Sequence, residues 1–205
     1  MAHYKQGLAF RYIQGTKYHR DRPLSDDLGS IPAPKRFKNY QEAERLVLPQ
    51  PDLSRPADLW QCLARRRSER DYTTDPLSLE QLSKLMWASQ GATARAGMHL
   101  LRTAPSAGAL YPFETYLYID KVEEVPKGIY HFNVADFVLE RMQEGNFNQA
   151  ITAASLGQPV VRRAAVIFIW TAMMLRCMVK YRDRAVRYIA MDLGHVCQNI
   201  QLAAT

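Results

Sequence analysis

Residues 102–114 read RTAPSAGALYPFE, and here a segment of small residues gives way to a strand. The alanines, glycine and prolines of Thr103 to Pro112 would let a flat ligand approach the backbone and bond its exposed amides. An ordinary Pro/Gly turn uses the same residues, and both readings stand at this level. Upstream, Ala92 to Leu110 is rich in Ala, Gly and Thr and has no sustained periodicity, which predicts a loop. Before it, Ser78 is placed as an N-cap with Gln81 at the capping-box position. Leu82, Leu85 and Met86 supply the apolar face of the helix that follows, which should stop at Gly91. Asp75-Pro76 separates that helix from an earlier one over Ser54 to Arg70, where Leu59, Cys62 and Leu63 recur at helical spacing.

Downstream, Thr115 to Ile119 reads as a strand. Gly128 to Phe132 and Phe137 to Met142 read as a hairpin turning at Asn133 and Asp136. Phe147 to Leu156 is helical and closes at Gly157. Val166 to Trp170 is a continuous apolar run of the kind buried on both faces of a sheet. A last helix is predicted from about Lys180 to the chain end. Tyr181, Tyr188, Asp192, His195 and Asn199 share one stripe of it, and Ile189, Leu193, Val196 and Ile200 an adjacent apolar one. Helices around a few strands define an α+β class. Residues 1–55, punctuated by Pro23, Pro32, Pro34, Pro49 and Pro51, read as an N-terminal arm over a body spanning 56–205.

The 205 residues are 47% hydrophobic and 23% charged, a balance that builds a core and excludes fibrous or disordered chains. Lys and Arg outnumber Asp and Glu by 27 to 20, for a net charge of +7, which favours anionic partners such as phosphate ligands, nucleic acid or membrane surfaces. Nucleic acid ranks last, since no helix-turn-helix, RNP-like strand pair or compact basic stripe is present. The apolar run Ala164 to Leu175 is far shorter than the roughly 20 residues of a membrane span, and Gly7 to Phe10 is too short for a secretory signal. Cys62, Cys177 and Cys197 form no CxxC pair, so a reduced, cytoplasmic setting is expected. His3, His19, His99 and His131 show no ligand spacing, and no metal site is expected.

Arg66-Arg67-Ser68-Glu69-Arg70, read as helical, would gather three guanidinium groups and a hydroxyl suited to a phosphate. A solvated helix end answering the macrodipole explains the same run. Lys180-Tyr181, followed by Arg182, Arg184 and Arg187, could form a proton-transfer pair beside an anion site, because a lysine partly desolvated among cations loses its proton more readily. A solvated charged helix start is the other reading. His195 with Asp192 and Asn199 reads either as an acid–base set or, in preference, as a buried hydrogen-bonded histidine anchoring its helix.

In this order, RRSERDY (66–72), LSLEQLSKLMWASQG (77–91), RTAPSAGALYPFE (102–114), GIYHF (128–132) and KYRDRAVRYIAMDLGHVCQN (180–199) resemble the FMN-dependent nitroreductase superfamily, specifically its SagB-type dehydrogenase branch of azoline oxidases. The resemblance implies a mixed sheet wrapped by helices in an intertwined homodimer with one FMN at each of two interface sites. It implies that Arg66, Arg67, Ser68 and Arg70 grip the phosphate and ribityl side. Pro105, Ser106, Ala107, Gly108 and Leu110 would arrive from the partner subunit to cover the isoalloxazine. Lys180 and Tyr181 match the pair proposed to remove a proton while hydride leaves for flavin N5, and His195 and Asn199 match a helix with a structural role near the cofactor. Family members continue past this helix with a loop and strand, so on this resemblance the chain lacks that C-terminal part.

The function so implied is an FMN oxidoreductase working by alternating half-reactions on a small-molecule or modified-peptide substrate, with a nicotinamide donor as one option. A non-catalytic flavin-binding or partner subunit of a peptide-modifying complex is the alternative.

Overall fold

Helix α3 (Leu79–Gln90) begins at a closed capping box: Gln81 N donates to the Ser78 hydroxyl at 3.2 Å and Ser78 N to Gln81 Oε1 at 2.8 Å. It belongs to a computed structural model describing residues 7–20, 32, 34–54 and 57–205. The expectations that fall on His3 and Pro23 lie outside the described residues. Leu82 and Met86 on α3 are fully buried, each such side chain adding about 1.5–3 kcal/mol. They share one core cluster with Leu117, Ile119, Phe132 and Leu139 of the sheet beneath.

That sheet has five strands in the order β1 (Glu44–Val47), β6 (Val138–Glu144), β5 (Gly128–Asn133), β4 (Phe113–Ile119) and β7 (Val166–Ala172). Its ladders are antiparallel throughout, where the resemblance implied a mixed sheet. The connections account for this. β4, β5 and β6 follow one another as a meander, and the chain then passes through α4 (Asn148–Ala154) and α5 (Pro159–Arg163) to lay β7 against the other side of β4. The β5–β6 turn forms as expected, with Asn133 Oδ1 accepting from Ala135 N at 3.1 Å and Asp136 N at 3.2 Å. β1, from the segment read as an arm, pairs with β6 at the sheet edge.

Four expectations are corrected. Ala92 to Leu110 is not all loop: β2 (Ala92–Ala96) and β3 (His99–Arg102) form a hairpin. β2 is exposed along its whole length, so no apolar alternation marks it, and Gly97 at φ +57° makes the turn. β7 is half-buried rather than buried on both faces, because β4 flanks it on one side only among the described strands. The helix expected over Ser54 to Arg70 shrinks to α2 (Leu59–Arg65). Asp58 caps it by accepting from Trp60 N and Gln61 N, and the backbone turns extended at Arg66.

The last helix divides into α6 (Met174–Tyr181) and α7 (Ala185–Ala203), broken at Arg182, whose backbone sits at φ +50° and ψ −140°. Arg184 and Arg187 face α1 (Leu8–Gly15). Arg187 donates to Thr16 Oγ1 at 2.7 Å and to the Ile13 carbonyl at 2.6 Å, and Arg184 donates to the Thr16 carbonyl.

Candidate functional site

The loop after β3 is pinned to α7 by a buried acid. Ser106 Oγ donates to Asp192 Oδ2 at 2.5 Å and Ala107 N to Asp192 Oδ1 at 3.2 Å, while Tyr111 N donates to Ser106 Oγ at 2.9 Å. Burial pushes the Asp192 carboxyl up, with the two loop bonds pulling the other way. Between these anchors Gly108 takes φ +64°. A methyl group there would lie 2.8 Å from the Tyr181 hydroxyl and 2.9 Å from Lys180 Nζ. The loop and the Lys-Tyr pair, separated by about 70 residues of sequence, thus meet within one chain.

Tyr181 is half-buried, its ring 4.5 Å from that of Tyr188, and Lys180 Nζ lies 5.3 Å from the Tyr181 ring centre. Lys180 itself is exposed. The expected desolvated lysine beside an anion site is therefore absent: Arg184 and Arg187 hold the C-terminal end of α1 instead. His195 is exposed rather than buried, since α7 turns it away from the core that Asp192 and Val196 enter. Asn199 does fasten helices together, donating to the Ala88 carbonyl of α3 at 3.2 Å.

The arginine cluster lies elsewhere. Arg66 follows α2 and reaches Gln201 Oε1 at 3.4 Å, Arg67 donates to the Ala64 and Arg66 carbonyls, and Arg70 donates to the Ser68 carbonyl at 2.9 Å. These residues run along extended chain and not around a helical turn, so the expected helical cluster is corrected. Arg67, Ser68 and Arg70 line an open cleft of about 700 Å³ beside the end of α7. Among the described residues no carboxylate pairs with Arg66, Arg67 or Arg70, which leaves their charges available. Gln201 and Asp192 stand about 14 Å apart along α7 at about 1.5 Å per residue. One chain does not bring the cluster and the loop together.

A buried polar chain behind the loop went unread in the sequence. Glu114 accepts from Arg176 through one oxygen and meets His131 Nε2 at 3.0 Å through the other, and His131 Nδ1 meets Glu140 at 2.8 Å. Burial alone would raise the Glu114 carboxyl, but the His131 bond and the Arg176 charge outweigh it and hold it below the usual range. Arg176 ties three segments together by donating also to the carbonyls of Lys35 at 2.9 Å and Tyr111 at 3.2 Å. Arg102 carried no signal beyond its place in the motif, and Arg176 only flanked an apolar run; their partners are distant in sequence. Burial pushes the Cys177 thiol up to about 11. Among the described residues no group of three or more His, Cys, Asp or Glu could hold a metal ion, and no helix is long and apolar enough to cross a membrane.

Residues 63–205 match the nitroreductase family, and the chain belongs to that family. "Putative nitroreductase MJ1384" of Methanocaldococcus jannaschii is 36% identical over 143 residues, covering 70% of this chain and 71% of the relative. The trifolitoxin operon protein TfxC of Rhizobium leguminosarum bv. trifolii is 27% identical over 206 residues, covering 91% of this chain and 58% of TfxC. The crystal structure of a "putative nitroreductase" from Anabaena variabilis superposes with a TM-score of 0.75 at 30% identity, covering 96% of this chain and 38% of that one. The chain thus spans little more than half of TfxC and about two fifths of the Anabaena protein.

Proposed function

We propose that this chain is an FMN-dependent oxidoreductase of the SagB type, acting as a homodimer on a small-molecule or modified-peptide substrate of the azoline kind. The observation that carries this reading is the convergence of Gly108 with the Lys180 ammonium and the Tyr181 hydroxyl. The residues present fit FMN. Guanidinium groups without carboxylate partners line the wall of an open cleft, as a phosphate requires. When bound, FMN supplies the hydride-accepting and hydride-donating chemistry.

Arg66, Arg67, Ser68 and Arg70 would hold the phosphate and ribityl side, and Pro105, Ser106, Ala107, Gly108 and Leu110 would cover the ring. The separation of these two sets along α7 supports a second copy of the chain as the source of one of them. Asp192 orients the covering loop through Ser106 and Ala107. Lys180 Nζ, as the neutral amine, would accept a proton from a substrate carbon, with the Tyr181 hydroxyl beside it at the loop.

The test is an absorbance spectrum of purified protein, followed by Lys180→Ala and Tyr181→Phe. Both variants should keep the flavin spectrum and lose flavin reduction by an azoline peptide while retaining reduction by a nicotinamide donor. Unchanged azoline oxidation in both removes the pair from the mechanism. A colourless protein that stays colourless with added FMN refutes the cofactor.

A further inference from the structure

Arg102 closes β3 with its guanidinium beneath the loop, only 8% exposed. Nη1 donates to Gln90 Oε1 at 2.6 Å, and Gln90 Nε2 in turn donates to Thr115 Oγ1 at 2.6 Å. Nε is buried without a partner. Among the described residues no carboxylate pairs with this charge: Glu114, the nearby acid, is taken by Arg176 and His131. Burial drags the Arg102 group down to about 10, so it remains a cation at neutral pH. The Tyr111 and Phe37 rings lie 4.5 and 5.7 Å from its central carbon and cover its faces, which leaves the in-plane N–H groups for an acceptor. A buried cation with an orphaned donor is unfavourable unless an anion meets it.

Beside Arg102 lies a cavity of about 120 Å³, lined also by Arg36, Arg176 and His99. Arg36 Nη1 donates to the Met98 carbonyl at 3.0 Å and meets His99 Nδ1 at 3.1 Å. Three guanidinium groups thus line the cavity, and no carboxylate is among its lining residues. Leu100, Leu110 and Val179 make the remaining wall apolar. The space is enough for a carboxylate on a short branched stem.

We propose that this cavity is a carboxylate subsite, in which Arg102 and Arg36 receive a carboxylate carried on a short apolar stem. Ala109 and Leu110 of the small-residue loop and Val179 of α6 form part of its wall. The proposal does not depend on flavin, because binding is read without turnover. The carboxylate has two sources, a free small acid or the C-terminus of a peptide.

Calorimetry on the full chain would compare isobutyrate with isobutyramide, and N-acetyl-glycyl-leucine with its C-terminal amide. Each acid should bind at least tenfold more tightly than its amide. Isobutyrate binding as well as the peptide acid assigns a free acid, and tighter binding of the peptide acid assigns a chain terminus. Arg102→Gln should weaken the acid at least tenfold. Because that change also releases Gln90, two further variants keep the core intact: Arg36→Ala removes a half of the clamp from the exposed side, and Val179→Phe fills the cavity without altering charge. Both should weaken acid binding severalfold or more while keeping the circular dichroism spectrum. Equal binding of acid and amide, absence of binding, or wild-type binding by Val179→Phe overturns the proposal.

Discussion

Gly108→Ala separates the geometry of the Lys-Tyr pair from the stability of the fold. The new methyl would stand 2.8 Å from the Tyr181 hydroxyl and 2.9 Å from Lys180 Nζ, against an ordinary contact of 3.4 Å, so both heads must retreat by about half an ångström. Both are the far ends of flexible side chains, and moving them costs little stability. The backbone at φ +64° adds about 1–2 kcal/mol for any residue with a Cβ. In a chain of this length that lowers Tm by about 2–8 °C. Displacement at a reacting centre matters more: a shift of about 1 Å can slow a reaction 100-fold, so about tenfold is expected here. The assay follows Tm by calorimetry and azoline oxidation by stopped-flow absorbance, with nicotinamide-driven reduction and the flavin spectrum as controls. A variant with the expected Tm and wild-type azoline oxidation would refute the placement of the reaction at this junction.

Arg70→Ala removes a charge that no carboxylate neutralises and should weaken FMN by about 10- to 100-fold, from a charge-assisted bond worth about 1.5–3 kcal/mol; fluorescence titration with FMN checks it. Glu114→Ala leaves Arg176 buried without its counter-ion and should cost about 3–5 kcal/mol in denaturant unfolding. Because the Glu114 carboxyl is lowered by folding, its contribution is present above the unfolded value of 4.5 and is lost as pH falls through the folded one, so the gap between wild type and variant should narrow below that pH. Asp192→Ala frees Ser106 Oγ and Ala107 N, and should raise hydrogen exchange at Ala107 and in the loop around it while α3 stays protected.

Local chemistry made much of the fold legible. The Ser78–Gln81 box, the apolar side of α3 and the Asn133 turn depend on residues within a few positions of one another, and each formed where the pattern placed it. The motif around Gly108 and the Lys180–Tyr181 dipeptide were visible as separate strings. Their meeting was not, because it is set by the break at Arg182 and by Asp192 drawing the loop onto α7. The Arg66–Arg70 geometry was hidden too, because α2 ends at Arg65, where the backbone turns extended at Arg66 and leaves the arginines on extended chain. Periodicity misjudged β7, since an all-apolar strand looks alike at the centre of a sheet and at an edge, and only pairing distinguishes them. The partners of Arg102 and Arg176 had no sequence signature at all. A buried ion pair or an orphaned guanidinium is a property of which distant segments share a low-dielectric space, and that is decided when the sheet, the arm and α6 pack together.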